Sequence, residues 1–106
     1  ERSEKIRRPT VPRECTHNAH MYYVLLPDLA TRTRVIERLK SRGIQTVFHY
    51  IPLHSSPVGL EVGRAAGDMR HTDDAGARLL RLPLWLGLED QLAEVIAEIV
   101  AAIQES

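Results

Sequence analysis

The chain has 106 residues, enough for one domain that buries roughly two thirds of its unfolded surface. Fourteen basic and fourteen acidic residues cancel, leaving no global field to hold nucleic acid or an anionic membrane. One cysteine, Cys15, rules out an internal disulfide framework and fits a reducing cytoplasm, and no apolar run approaches the roughly 18 residues of a membrane span.

Residues 1–14 are charged and carry Pro9 and Pro12, so they read as a connector or edge strand, with an extended piece around Ile6 to Val11. Their basic groups interleave with Glu1, Glu4 and Glu14 and no aromatic is present, which fits a solvated linker better than a nucleic-acid arm. A chain that opens on Glu1 rather than Met is expected to be a piece of a longer protein. Residues 15–106 then read as the domain proper.

Met21 to Leu26 is a β-branched and aromatic run closed by Pro27, the pattern of a buried strand. Val35, Ile36 and Leu39 recur at helical spacing between a start at Asp28 or Thr31 and a stop at Gly43, a residue suited to the left-handed position after a helix. Ile44 to Ile51 predicts a second strand, ended by Pro52. Leu53 to His71 is rich in Gly, Ser and Pro and predicts a long loop with one short helix at most. Thr72-Asp73-Asp74 looks like a helix start, a capping hydroxyl followed by acids in the positive first turn, with the helix running to about Leu80. Arg81 to Trp85 predicts a short edge strand, because Pro83 cannot donate to an inner ladder.

The last helix is the clearest element: Leu92, Val95, Ile96, Ile99, Val100 and Ile103 keep helical spacing, opposite Glu94, Glu98 and Glu105. That stripe is expected to be core. The order of elements predicts a small α+β layer with a short sheet covered by helices.

Five histidines invite a metal reading. Cys15, His17 and His20 cluster, yet no second Cys-x-x-Cys and no His-Glu-x-x-His accompanies them. They read instead as a semi-buried thiol, an exposed ring and a hydrogen-bonding anchor at a strand end. Nucleophilic catalysis lacks support: Ser55 and Ser56 follow His54 without a Gly-x-Ser-x-Gly elbow or an orienting acid. Gly59, Gly63 and Gly67 are spaced by four, which is not a phosphate-binding pattern, and Asp73 and Asp74 read as helix-start acids. The titratable cluster that remains is His49-Tyr50-Ile51-Pro52-Leu53-His54, two imidazoles and a phenol where a strand is broken by proline. From the residues alone, structural and ligand-binding roles for these side chains are both open.

Four segments in order carry a likeness: Asn18 to Tyr23, Val47 to His54, Ser56-Pro57 with Gly59, and Leu79-Leu80-Arg81-Leu82-Pro83-Leu84. Together they resemble the C-terminal region of the DegT/DnrJ/StrS sugar aminotransferases, over about residues 6 to 106. The resemblance implies the small C-terminal domain of the aspartate-aminotransferase fold (fold type I). It implies an intact enzyme that uses pyridoxal phosphate, dimerises, and moves the amino group of glutamate to the 4-keto carbon of a dTDP-4-keto-6-deoxyhexose. Such enzymes hold the cofactor on a lysine of a large domain. Here Lys5 lies in the connector and Lys40 on the polar side of a helix, and neither has the desolvated setting a Schiff base needs. The chain alone is therefore expected to bind no cofactor and to carry no catalytic residue. Residue by residue, the likeness implies that His54, His49 and Tyr50 face a sugar-nucleotide pocket, His54 as a donor to sugar or phosphate oxygens, with Asn18 and His20 near the domain junction. A free-standing small-ligand-binding or regulatory module and a pure interaction domain are the competing expectations.

Overall fold

Two short strands, one closed by Pro27 two residues on and one following a helix without a linker, pair so that each puts one apolar residue into the core. That pairing organises this protein. The computed structural model describes residues 6–106. Strand β1 (Tyr23–Leu25) runs antiparallel to β2 (Leu79–Arg81), in the register Tyr23 to Arg81, Val24 to Leu80 and Leu25 to Leu79. Val24 and Leu80 face each other out of water, and helices α1 (Leu29–Ser41) and α4 (Leu92–Gln104) supply the other side of the core. Val35 and Leu39 come from α1; Val95, Ile99, Ala102 and Ile103 come from α4. Leu26 and Leu88 complete it, with Ile6, Ile36, Ile44 and Leu82 packed around the margin. The fold is thus the expected α+β arrangement, a two-stranded sheet with helices on one face.

Single bridges widen the ribbon on each side, Arg7 to Leu25 and Val47 to Arg81. The connector therefore does contribute an edge pairing from its described part; residues 1–5 lie outside the described residues. The second strand expected over Ile44 to Ile51 is reduced to that one bridge. Its backbone leaves the ribbon because Tyr50 takes a left-handed conformation (φ 62°) and Pro52 has no N–H to give. The edge strand is shifted too: it ends at Arg81, after which Leu82 N–H donates once more to the Tyr22 carbonyl before Pro83 stops pairing.

Helix α1 starts as expected. The Asp28 carboxylate accepts from the Thr31 N–H at 2.7 Å, and Gly43 (φ 77°) reverses the chain so that Ile44 N–H reaches the Leu39 carbonyl. The chain between the ribbon and α3 is less irregular than a loop: a 3₁₀ turn (Leu53–Ser55) leads into α2 (Pro57–Val62), capped by the Ser56 hydroxyl. Helix α3 (Arg70–Arg78) begins two residues before Thr72, which is therefore not its cap; the Asp68 carboxylate accepts from the Arg70 N–H instead. Asp74 is released to pair with Arg78 one turn on, at 2.7 Å. On α4 the expected stripe divides. Val95, Ile99 and Ile103 are buried, whereas Leu92, Ile96 and Val100 stay 43%, 49% and 46% exposed, since one helix and a narrow ribbon cover a narrower arc than the sequence stripe. Cys15 is exposed rather than semi-buried. Arg38–Glu105 and Arg42–Glu98 pair across α1 and α4 at the surface. No helix among the described residues is long and apolar enough to cross a membrane.

Truncating Leu80 to Ala should destabilise by about 3 kcal/mol in urea unfolding, whereas Val100→Ala should change stability by less than about 1 kcal/mol. Asp28 supplies a pH prediction. The Thr31 N–H and hydroxyl, with Arg34 nearby, hold its carboxyl below the usual carboxylate range. A depressed folded-state value gives stability that is present above the unfolded value and is lost as pH falls through the folded one. Asp28→Asn keeps the cap acceptor but cannot titrate, so its acid unfolding curve should be shallower than that of the parent chain below about pH 4.

Candidate functional site

Once residues 48–55 leave the ribbon, three contacts tie them to neighbouring helices. Phe48 lies under the Arg32 guanidinium of α1, 5.1 Å from its ring centre. Pro52 sits directly on Gly76 of α3, so close that a β-carbon there would stand 2.9 Å from the proline Cγ. His54 Nε2 lies 2.7 Å from Asp73 Oδ1, also on α3. Between these anchors Tyr50 holds its left-handed backbone, its ring 5.3 Å from that of His49.

Two open hollows flank Tyr50 and Pro52. The first, about 390 Å³, is lined by His49, Tyr50, His71 and Thr72 over a floor of Pro52, Ala75, Gly76 and Leu79. The second, about 270 Å³, takes Arg32, Phe48, Ile51, Ser55 and Asp73 on the other side. Two imidazoles, a phenol and a hydroxyl above an apolar floor supply both donors and acceptors around a ring-sized space, which suits a hydroxylated ring. Arg32 closes the second hollow. Its Nη1 donates to the Gly76 carbonyl, its Nε is buried with no partner, and burial pushes its pKa below the usual arginine value.

Of the residues expected at a pocket, His49 and Tyr50 share the first hollow. His54 lines neither; its ring is turned to Asp73. His20 and Asn18 are exposed and hydrogen-bond each other at 2.6 Å, away from both hollows. His71 and Thr72 were missed, because the loop before α3 shows no period that would have set them opposite His49. Asp73 was read only as a helix-start acid. A start at Arg70 would have placed Thr72, Asp73 and Gly76 on one side of α3, at helical spacing. Among the described residues no group of three or more His, Cys, Asp or Glu could hold a metal ion. Neither hollow contains a lysine, and Lys40 is exposed on α1, so the chain offers no amine there to hold pyridoxal phosphate as a Schiff base.

A two-stranded ribbon packed against helices in this arrangement has its structural counterparts among the aminotransferases. Residues 1–103 match the DegT/DnrJ/EryC1/StrS aminotransferase family, and the chain belongs to it. It is 33% identical over 91 residues to the dTDP-4-dehydro-2,3,6-trideoxy-D-glucose 4-aminotransferase of Saccharopolyspora spinosa, covering 85% of this chain and 22% of that protein. It superposes on an aminotransferase from Streptoalloteichus hindustanus with a TM-score of 0.81 and 28% identity, over 97% of this chain and 27% of the other. A putative sugar aminotransferase of Streptococcus pneumoniae in its PLP form gives a TM-score of 0.77 at 21% identity, over 95% of this chain and 27% of that one, a likeness of fold. The chain thus spans only 22% to 29% of the curated relatives it matches.

Gly76→Ala sets two effects against each other. Helix propensity favours alanine by about 1 kcal/mol, while displacing Pro52 costs about 1–3 kcal/mol. A net loss of about 1 kcal/mol is expected in urea unfolding, and Pro52→Ala in the same chain should recover most of it.

Proposed function

We propose that this chain is the small C-terminal domain of a pyridoxal-phosphate-dependent sugar-nucleotide aminotransferase, residues 1–14 being the connector and 15–106 the domain. The reaction we assign to the intact enzyme is transfer of the glutamate amino group to the 4-keto carbon of a dTDP-4-keto-6-deoxyhexose, as in dTDP-4-amino-4,6-dideoxygalactose transaminase. Membership of the family and the likeness to an enzyme named for a dTDP-keto sugar support that substrate class. The observation that carries the site is the hollow walled by His49, Tyr50, His71 and Thr72.

In this reading the chain's own work is binding and orientation. The floor of Pro52, Ala75 and Leu79 receives the apolar face of a deoxysugar, where a missing hydroxyl leaves nothing to solvate. The His49 imidazole and Tyr50 phenol are placed for its remaining hydroxyls, and Thr72 adds a donor and acceptor from the facing wall. Pyridoxal phosphate, when bound, provides the electron sink, and the lysine that holds it belongs to a large domain outside this chain. That large domain, the nucleotide sugar, glutamate and a second subunit are the partners of the intact cytoplasmic enzyme. The 106-residue chain alone is expected to be inactive.

Native-length protein purified from its source should show the visible absorption band of bound pyridoxal phosphate, and that band should bleach with glutamate. A colourless protein that ends near Glu1 would overturn this reading in favour of a free-standing ligand-binding module. In the intact enzyme Tyr50→Phe removes one neutral hydrogen bond, worth about 1 kcal/mol, and should raise KM for the nucleotide sugar about fivefold with little change in kcat.

A further inference from the structure

Tyr50 is 69% exposed and holds a left-handed backbone, a conformation that costs a bulky residue about 1–3 kcal/mol and persists only when its surroundings enforce it. On the N-terminal side the enforcement is the Val47–Arg81 bridge. On the C-terminal side, contacts with α3 follow at Pro52 and His54. Pro52 contributes contact there but no polar link. Among the described residues, the one hydrogen bond joining residues 49–63 to α3 is His54 Nε2 to Asp73 Oδ1.

That pair has the features of a clasp. The His54 side chain is 17% exposed while Asp73 is 56% exposed, so the ring is sheltered and the acid sits at the rim. A carboxylate only accepts, so the bond requires the proton on Nε2 and fixes both ring orientation and tautomer. The ring lines neither hollow. Asp73 lies three residues before Gly76, so clasp and Pro52 contact fall on one side of α3, a turn apart.

We propose that His54 and Asp73 are positioning residues: together they hold residues 50–54 on α3, keep Tyr50 in its left-handed conformation, and so set the His49–Tyr50 wall of the hollow. His54 does not touch the ligand. The functional weight of this rests on the reading of the hollow as the sugar site; the geometry itself does not.

The test needs no substrate and uses the 106-residue chain. By NMR, a positive φ at Tyr50 gives a strong amide-to-Hα cross-peak within that residue, and ring ¹⁵N shifts report the His54 tautomer. The parent chain should show the cross-peak, the Tyr50–His49 ring contact and a proton on Nε2. His54→Ala and Asp73→Ala should each lose the cross-peak and the ring contact, and the double variant should lose no more than either one. Asp73→Asn retains an acceptor and should behave as the parent. The reversed pair, His54→Asp with Asp73→His, should restore both signals. Unchanged Tyr50 signals in the two alanine variants would overturn the proposal. So would a reversed pair that fails to restore them while Leu80 and Val24 keep their parent shifts. Either failure leaves the aminotransferase reading standing, since that reading is decided by the visible spectrum of the intact protein.

Discussion

The Val24–Leu80 pair is the contact on which the rest depends. Both side chains are out of water at the centre of a ribbon only three residues long on each strand, and together they bury the inner faces of α1 and α4. Because β2 follows α3 with no intervening residue, pairing Leu80 with Val24 also sets where α3 lies. Two further bonds lock that junction: Leu26 N–H donates to the Arg78 carbonyl, and Arg78 Nε donates to the Leu26 carbonyl at 2.7 Å. The wall of the hollow that carries His71 and Thr72 is therefore a consequence of strand register. A slip of one residue would turn Leu80 out of the core and move that wall with it.

The opposite wall comes from a segment that gives up regular structure. Residues after Val47 exchange ladder bonds for tertiary anchors, and these anchors reach two helices: Arg32 on α1, and Gly76 and Asp73 on α3. Arg32 joins the two helices, since the guanidinium that covers Phe48 also donates to the Gly76 carbonyl. Such an arrangement keeps polar groups at the mouth of the hollow on a stiff support, the property a binding site needs and a mobile loop lacks. It also explains why a residue as bulky as Tyr50 tolerates a backbone region usually left to glycine.

Family membership and the hollow rest on separate grounds. The family match rests on sequence along nearly the whole chain, whereas the hollow rests on where two distant segments meet. The chemistry proposed for the intact enzyme needs an amine that neither hollow supplies.

Local signals were enough for the elements whose ends are written in adjacent residues. Asp28 and Gly43 bracket α1, the spacing of Val95, Ile99 and Ile103 marks α4, and four motifs in order marked the family, because each depends on neighbours within a few positions. The shortening of the second strand at Tyr50 was not visible, as an apolar run reads the same whether or not a partner strand is there to pair with it. Nor could the sequence show that Leu92, Ile96 and Val100 stay wet, since the width of the buried arc is set by what packs against α4. The pairing of His54 with Asp73 and the meeting of His49 with His71 join residues about twenty positions apart through the placement of α3. That placement follows from the register of β2, a long-range pairing that no local pattern encodes, so only the tertiary structure decided which histidines line the hollow and which one bonds to α3.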